Sequence, residues 1–304
     1  MTEAVYLQTQ DESLAKLIWK RFSKHPGAMA GCIVLICIIL AVALAGLSPY
    51  DPEKSDMAGR YKPPSLAHLM GTDSLGRDVM TRVLFGGRIS LEVGISVMVI
   101  TLVIGVPLGA IAGYFGGWVD NLLMRITDAA LSLPSLMVLI LLSAILREVD
   151  APLLQKNPVL TIASVIGLLS WMYVARLVRA SYLTIREMDY VTATRALGAS
   201  NFRIITMHIF PNAIGPVIVE STMEVAYAIL EESGLSYLGF GIQPPTPSWG
   251  NLLSNAQDYM VKYPWLAIFP GLMIFLSVIS INYIGDGLRD AFDPYKVLQK
   301  IGEV

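Results

Sequence analysis

Four side chains in the last third of the chain stand out by type and spacing. Glu220, Glu224, Tyr227 and Glu231 recur at i, i+4, i+7 and i+11, which lines them up along one stripe of an α-helix. The run that holds the first three, residues 213–230, is mostly apolar, and Glu231 directly follows it. An ionisable group in a membrane-spanning helix is costly, so it faces a bundle interior or a wet cavity. Three carboxylates and a phenol placed this way favour a cationic or zwitterionic solute and are expected to border a path through the membrane. Spacing alone leaves other readings open: ion pairs with Arg125, pairing with basic residues of a partner subunit, or partial protonation.

The remaining reactive residue types do not assemble into a catalytic motif. His25, His68 and His208 are scattered, with no H-E-x-x-H for zinc and no G-x-S-x-G nucleophile elbow. Asp286 alone cannot share a proton as an aspartyl dyad does. There is no G-x-x-x-x-G-K-[ST], so nucleotide binding by this chain is not expected. Cys32 and Cys37 lie five apart in one apolar run, on different helix faces, and suggest packing rather than a disulfide or metal site.

Composition says what must position the acidic stripe. The 304 residues are 54% hydrophobic and 15% charged, with a mean hydropathy of +0.59, too apolar for an ordinary soluble domain. The fold class is therefore an all-α polytopic membrane protein in contact with lipid. A net charge of -2 with no basic stripe argues against nucleic acid. Six apolar runs predict spans over residues 29–47, 90–114, 122–146, 158–174, 213–230 and 265–283.

Residues 1–28 form a polar N-terminal segment in which Lys16, Lys20, Arg21 and Lys24 precede the first span. That cluster places the N-terminus in the cytoplasm and reads as the flank of an uncleaved helix, although Ala41-Val42-Ala43 resembles a signal cleavage site. Residues 29–88 then comprise the first helix and an external loop. Residues 89–290 form a five-helix core, and residues 291–304, with Lys296 and Lys300, a cytoplasmic tail. Gly105, Gly109, Gly113 and Gly117 recur every fourth residue, a spacing for close helix contact, and Pro107 among them can kink the span or serve as a hinge.

Between the fourth and fifth runs lies the longest water-compatible segment of the second half, residues 187–212. It predicts two short helices: one capped by Asp189 and running to about Leu197, a left-handed turn at Gly198, then one capped by Ser200 and closed by Pro211. Phe202, Ile205 and Ile209 recur at helical spacing on the second. Periodicity alone is equally compatible with an amphipathic loop on the lipid surface. Arg176, Arg179, Arg186, Arg195 and Arg203 favour the cytoplasmic side.

Here the residues resemble a known family. Small residues around Ala193, then Gly198 and Pro211, look like the EAA loop of membrane subunits of bacterial ATP-binding-cassette importers, with Thr192 where that motif has its glutamate and Thr194 at its second alanine. GTDSLGRD from Gly71, ESGLSYLGFGIQPPTPSWG from Glu232, and GDGLRD with Asp293-Pro294 resemble the C-type permeases of dipeptide, oligopeptide and nickel importers. The resemblance implies six transmembrane helices of the type I importer permease fold, in a bacterial or archaeal inner membrane. It implies a heterodimer with a homologous permease and two ATPase subunits that carry the ATP and Mg, with no cofactor on this chain and no enzyme activity of its own. It also implies an extracytoplasmic solute-binding protein, with Trp249 as a contact for it or an interfacial anchor. The coupling surface would comprise Asp189, Tyr190, Ala193, Arg195, Ala196, Leu197, Gly198, Ala199 and Arg203. A secondary transporter is the rival class, but such carriers usually contain paired repeats, which these spans do not show.

Overall fold

The computed structural model describes residues 14–148 and 157–293, and every regular element among them is helical apart from an isolated bridge between Thr72 and Asp78. Residues 1–13, most of the connection after the third span, and the tail from Pro294, with Lys296 and Lys300, lie outside the described residues. In chain order the helices are α1 (Leu14–Phe22), α2 (Pro26–Ala43, continued by a 3-10 turn Leu44–Leu47), α3 (Val79–Phe115), α4 (Gly117–Leu131) and α5 (Ser135–Glu148). They are followed by α6 (Pro158–Ile185), α7 (Asp189–Ala196), α8 (Asn201–Tyr237), α9 (Trp249–Ala256) and α10 (Trp265–Phe292).

Five of these segments are long and apolar enough to cross a membrane, and the bent pair α4 and α5 makes a sixth if it is one span. The third predicted span is thus broken. Pro134 sits in the three-residue gap, where it cannot donate to a continuing ladder, and the two halves meet at 89°. Several boundaries also move outward. Helix α3 begins at Val79, capped by Asp78, whose carboxylate accepts from the Thr81 N–H at 2.8 Å, so Arg82 and Arg88 lie inside the helix rather than before it. Helix α10 continues through the GDGLRD run instead of ending before it; Arg289 and Asp286 are an exposed i, i+3 pair at 4.0 Å within it.

The small residues of α3 explain how the core closes. A Cβ on Gly105 would lie 2.7 Å from the Trp171 carbonyl oxygen, and one on Gly113 would lie 2.6 Å from Tyr182 Cβ. Backbone can therefore approach backbone along α3 and α6, which form the most extensive helix contact. Gly117, fourth in the series, meets nothing within 4 Å and opens α4 with φ +56 instead. Helix α8 packs against α3, α6 and α10, and α10 carries α2 and α1 on its other side.

The two ends of the bundle differ. At one end α1 ties to the terminus of α10 through Arg21, which donates to the carbonyls of Ala291 and Asp293 at 3.4 Å each, and Phe292 sits against Gly215 near the start of the α8 span. At the other end the 48–78 segment meets the loop after α9, where Tyr61 stacks on Tyr263 with ring centroids 4.2 Å apart.

Candidate functional site

The predicted two-helix unit is present and rigidly mounted. Asp189 is the first residue of α7 rather than its cap; Met188 occupies the cap position with no side-chain bond. The end of α7 is as expected: Gly198 has φ +82, its N–H donates to the Arg195 carbonyl at 3.0 Å and the Ala199 N–H donates to Thr194 at 3.3 Å, the paired bonds of a left-handed helix terminus. Ser200 caps the next helix by accepting from the Arg203 N–H at 3.4 Å.

Pro211 does not close the unit. Helix α8 runs from Asn201 straight through it, because residues Ile204–Ile209 wind as a π-helix. A proline at position 211 removes one ladder donor and pushes on the carbonyl a turn earlier. The wider π turns absorb that: the Phe210 N–H donates to Ile205 O, five residues back, and that carbonyl also accepts from Tyr182 Oη at 3.2 Å, while Asn212 Nδ2 donates to His208 O at 2.8 Å. The change of pitch also alters the buried face. Ile204 and Ile209, five apart, are fully buried, whereas Phe202 is 77% exposed.

Val191, Ile204 and Ile209 join Val174, Val178, Tyr182 and Ala213 in one core, so the unit is packed onto the ends of α3, α6 and α8. Arg195 lies over the Tyr114 ring at 5.8 Å, and Tyr114 Oη donates to Asn201 at 2.8 Å. Arg186 donates to the carbonyls of Gly113 and Tyr114 at 2.9 and 3.3 Å. Two other arginines, counted by sequence as loop charges, are bound to α4: Arg179 to Asp120, bidentately, and Arg176 to Asp128. Asp189, Tyr190, Ala193, Arg195, Ala196, Leu197, Gly198 and Arg203 all present exposed surface, and Ala199 is half-buried.

The acidic stripe is divided by its surroundings. Glu224 is buried, with Ser170 of α6 and Thr101 of α3 beside it; Glu220 and Glu231 are half-buried and Tyr227 is exposed. Glu231 opens into a cavity of about 110 Å³ at the break of the third span, lined also by Ser135, Ser170 and Tyr173. A carboxylate, two hydroxyls and a phenol there can receive the donors of a charged amine. Among the described residues no ion pair joins Arg125 to these glutamates.

Trp249 corrects the expectation of an outward contact or interfacial anchor. It is fully buried, its Nε1 donates to the Val83 carbonyl at 2.9 Å, and its ring lies over Gly87 of α3. Two further features escape a reading by spans. Arg88, Glu92 and Ser96 follow at i, i+4 and i+8 on α3, with Arg88 and Glu92 exposed beside an apolar groove that α2, α8 and α10 complete. Glu232, two residues beyond the apolar run that predicts the fifth span, lies inside α8 and is fully buried. Its signal was the serine four residues later, one helical turn on.

The bundle thus carries acids on a helix long and apolar enough to cross a membrane, and a two-helix unit packed at one end. The family model described as the binding-protein-dependent transport system inner membrane component matches residues 105–296, and that of the N-terminal TM domain of oligopeptide transport permease C matches residues 13–64. The chain belongs to this family of importer permeases. The glutathione transport system permease GsiD of Pectobacterium atrosepticum is 40% identical over 278 residues, covering 91% of this chain and 89% of its own. The dipeptide transport system permease DppC of Alkalihalophilus pseudofirmus is 40% identical over 277 residues, covering 91% and 88%. In fold the chain is similar to the inward-facing MetNI methionine ABC transporter, with a TM-score of 0.55 at 17% identity over 73% of this chain and 97% of that one.

Proposed function

We propose that this chain forms half of the translocation path of an ATP-driven importer of short peptides, paired with a homologous permease and served by two ATPase subunits and an external binding protein. Its relatives named for dipeptide and glutathione transport support the solute class. The observation that carries the coupling role is the exposed unit from Asp189 to Arg203, held by a buried core at the ends of three spans. In this reading it lies in the cytoplasm with both termini, ATP and Mg stay on the ATPase subunits, and this chain binds no nucleotide. Closure of the ATPases then moves α7 and, through it, α6 and α8; the bundle changes its open side only insofar as the ATPases favour one state over the other.

Gly198 tests the docking. A Cβ there meets no atom within 4 Å, so the substitution acts first through the left-handed backbone. That strain is roughly 1–2 kcal/mol or more for a residue with a Cβ, about a tenfold loss of the docking geometry. Gly198→Val is therefore expected to retain clearly fewer ATPase subunits on purification of the complex; full stoichiometry would count against docking through this turn.

Glu220 and Glu224 test the path. Replacing both by Gln keeps shape and removes charge, and should reduce uptake about tenfold, the scale of one lost charge-assisted contact, without preventing assembly. Unchanged uptake in proteoliposomes would remove the stripe from the path. The solute class itself is checked by which peptides stimulate ATP hydrolysis in the complex with its binding protein.

A further inference from the structure

We infer that Glu232 is a positioning residue for transport, which fixes the loop 238–248 and helix α9 against α3 and α8 through two serine hydroxyls. The Trp249 N–H donates to Ser90 Oγ at 3.2 Å, and Ser90 Oγ donates to Glu232 Oε2 at 3.0 Å. The Ile242 N–H donates to Ser236 Oγ at 2.9 Å, and Ser236 Oγ donates to Glu232 Oε1 at 2.6 Å. Two backbone donors, Ile242 in the loop and Trp249 at the start of α9, thus converge, each through one hydroxyl, on the two oxygens of one carboxylate. A serine has a single proton to give. With its oxygen already accepting from the loop, that proton needs an acceptor, and a carboxylate is the side chain that accepts on both of its atoms.

Glu232 is fully buried, and Ser90 and Ser236 are buried with it, so bulk water does not substitute for the missing partner when the carboxylate is removed. The arrangement joins three elements distant in sequence: α3 at Ser90, α8 at Glu232 and Ser236, and the start of α9 at Trp249. Asn251 extends it by donating to the carbonyls of Ile242 and Thr246 at 3.2 and 2.8 Å, closing the loop on itself. The loop lies at the end of the bundle opposite α7. Resting on the orientation proposed above, it is the end that receives the binding protein, and Glu232 holds that surface in shape without touching the solute.

Amide hydrogen exchange on the assembled complex in lipid nanodiscs tests the relay directly. Ser90→Ala is expected to speed exchange at Trp249 and spare Ile242, and Ser236→Ala the reverse. Glu232→Leu should speed both about tenfold, the equivalent of one buried hydrogen bond, with Glu232→Gln in between and α10 unchanged. Unchanged exchange at both amides in the serine variants would overturn the relay; those variants remove one oxygen each and carry the test if Glu232→Leu does not assemble. In proteoliposomes the same variants should raise the binding-protein concentration needed for half-maximal uptake several-fold while the maximal rate changes little. A fall in maximal rate alone would reduce Glu232 to a structural role. Wild-type uptake that ignores the binding protein would instead overturn the importer reading and leave the exchange result standing.

Discussion

Trp249→Ala is expected to destabilise the assembled permease by about 3 kcal/mol, near the low end of the range for emptying a buried aromatic site. The low end applies because lipid is as apolar as the ring, so transfer out of the core costs less in a bilayer than in water. What remains is the void itself, the contacts across Gly87, where a Cβ would stand 2.9 Å from the indole, and the hydrogen bond from Nε1 to Val83. Trp249→Phe keeps most of the ring and loses the N–H, and should cost about 1 kcal/mol. In a thermal scan of the purified complex the alanine variant should melt roughly 6–12 °C lower and the phenylalanine variant about a third as far. An alanine variant that melts with the wild type would mean that this tryptophan is not an internal anchor.

The same residue marks where sequence reading stops. Apolar runs carried five of the six spans, and the sixth if the bent pair α4 and α5 is one, because length and hydropathy are properties of one segment at a time. The turn at Gly198 was legible for a similar reason: a glycine four residues after Thr194 at the end of a helical run needs only local geometry, and its φ is +82. Trp249 follows a stretch of prolines and glycines and looks like a loop residue; only the approach of α3, made possible by Gly87, turns it inward. Glu232 lies past the end of the apolar run at 230, and hydropathy does not register that the helix continues to Tyr237. A buried carboxylate with two serine donors extends the helix beyond its apolar part, and those donors come from Ser90 and Ser236, 142 and 4 residues away.

Pro211 shows the opposite error, a local rule applied too strictly. Proline usually ends a helix because it removes a donor and crowds the preceding turn. Here Ile204–Ile209 take up the strain as a π-helix, while Tyr182, from another span, and Asn212 add side-chain donors to the carbonyls of Ile205 and His208. The consequence bears on coupling. Under the coupling proposed above, a push on Phe202 falls on the helix that carries Glu220, Glu224 and Glu231, because α8 is continuous from Asn201, whereas Leu197 joins it through the turn at Gly198.

Asp73→Ala is the second large effect, expected at about 3–5 kcal/mol, because it strands a charge. Arg82 is fully buried at the start of α3; its Nη1 donates to the Pro52 carbonyl at 2.8 Å and its Nε lies 3.6 Å from Asp73 Oδ2. Among the described residues Nε and Nη2 have no hydrogen-bond partner, so Asp73, with Glu53 as the further acidic neighbour, offsets much of the desolvation of this guanidinium. Asp73 also accepts from the N–H groups of Leu75 and Arg77 at 2.8 and 3.0 Å and from Arg77 Nε at 2.7 Å, which shapes the turn ahead of α3. The two contributions separate in a double variant. Arg82→Met fills a similar volume without charge, so Asp73→Ala with Arg82→Met should be more stable than Asp73→Ala alone by about 1–3 kcal/mol, while the lost turn contacts keep it below the wild type. Melting midpoints of the four proteins give the coupling directly, and a double variant less stable than Asp73→Ala would show that Arg82 stabilises the fold through its alkyl packing and its bond to Pro52 rather than costing it a buried charge.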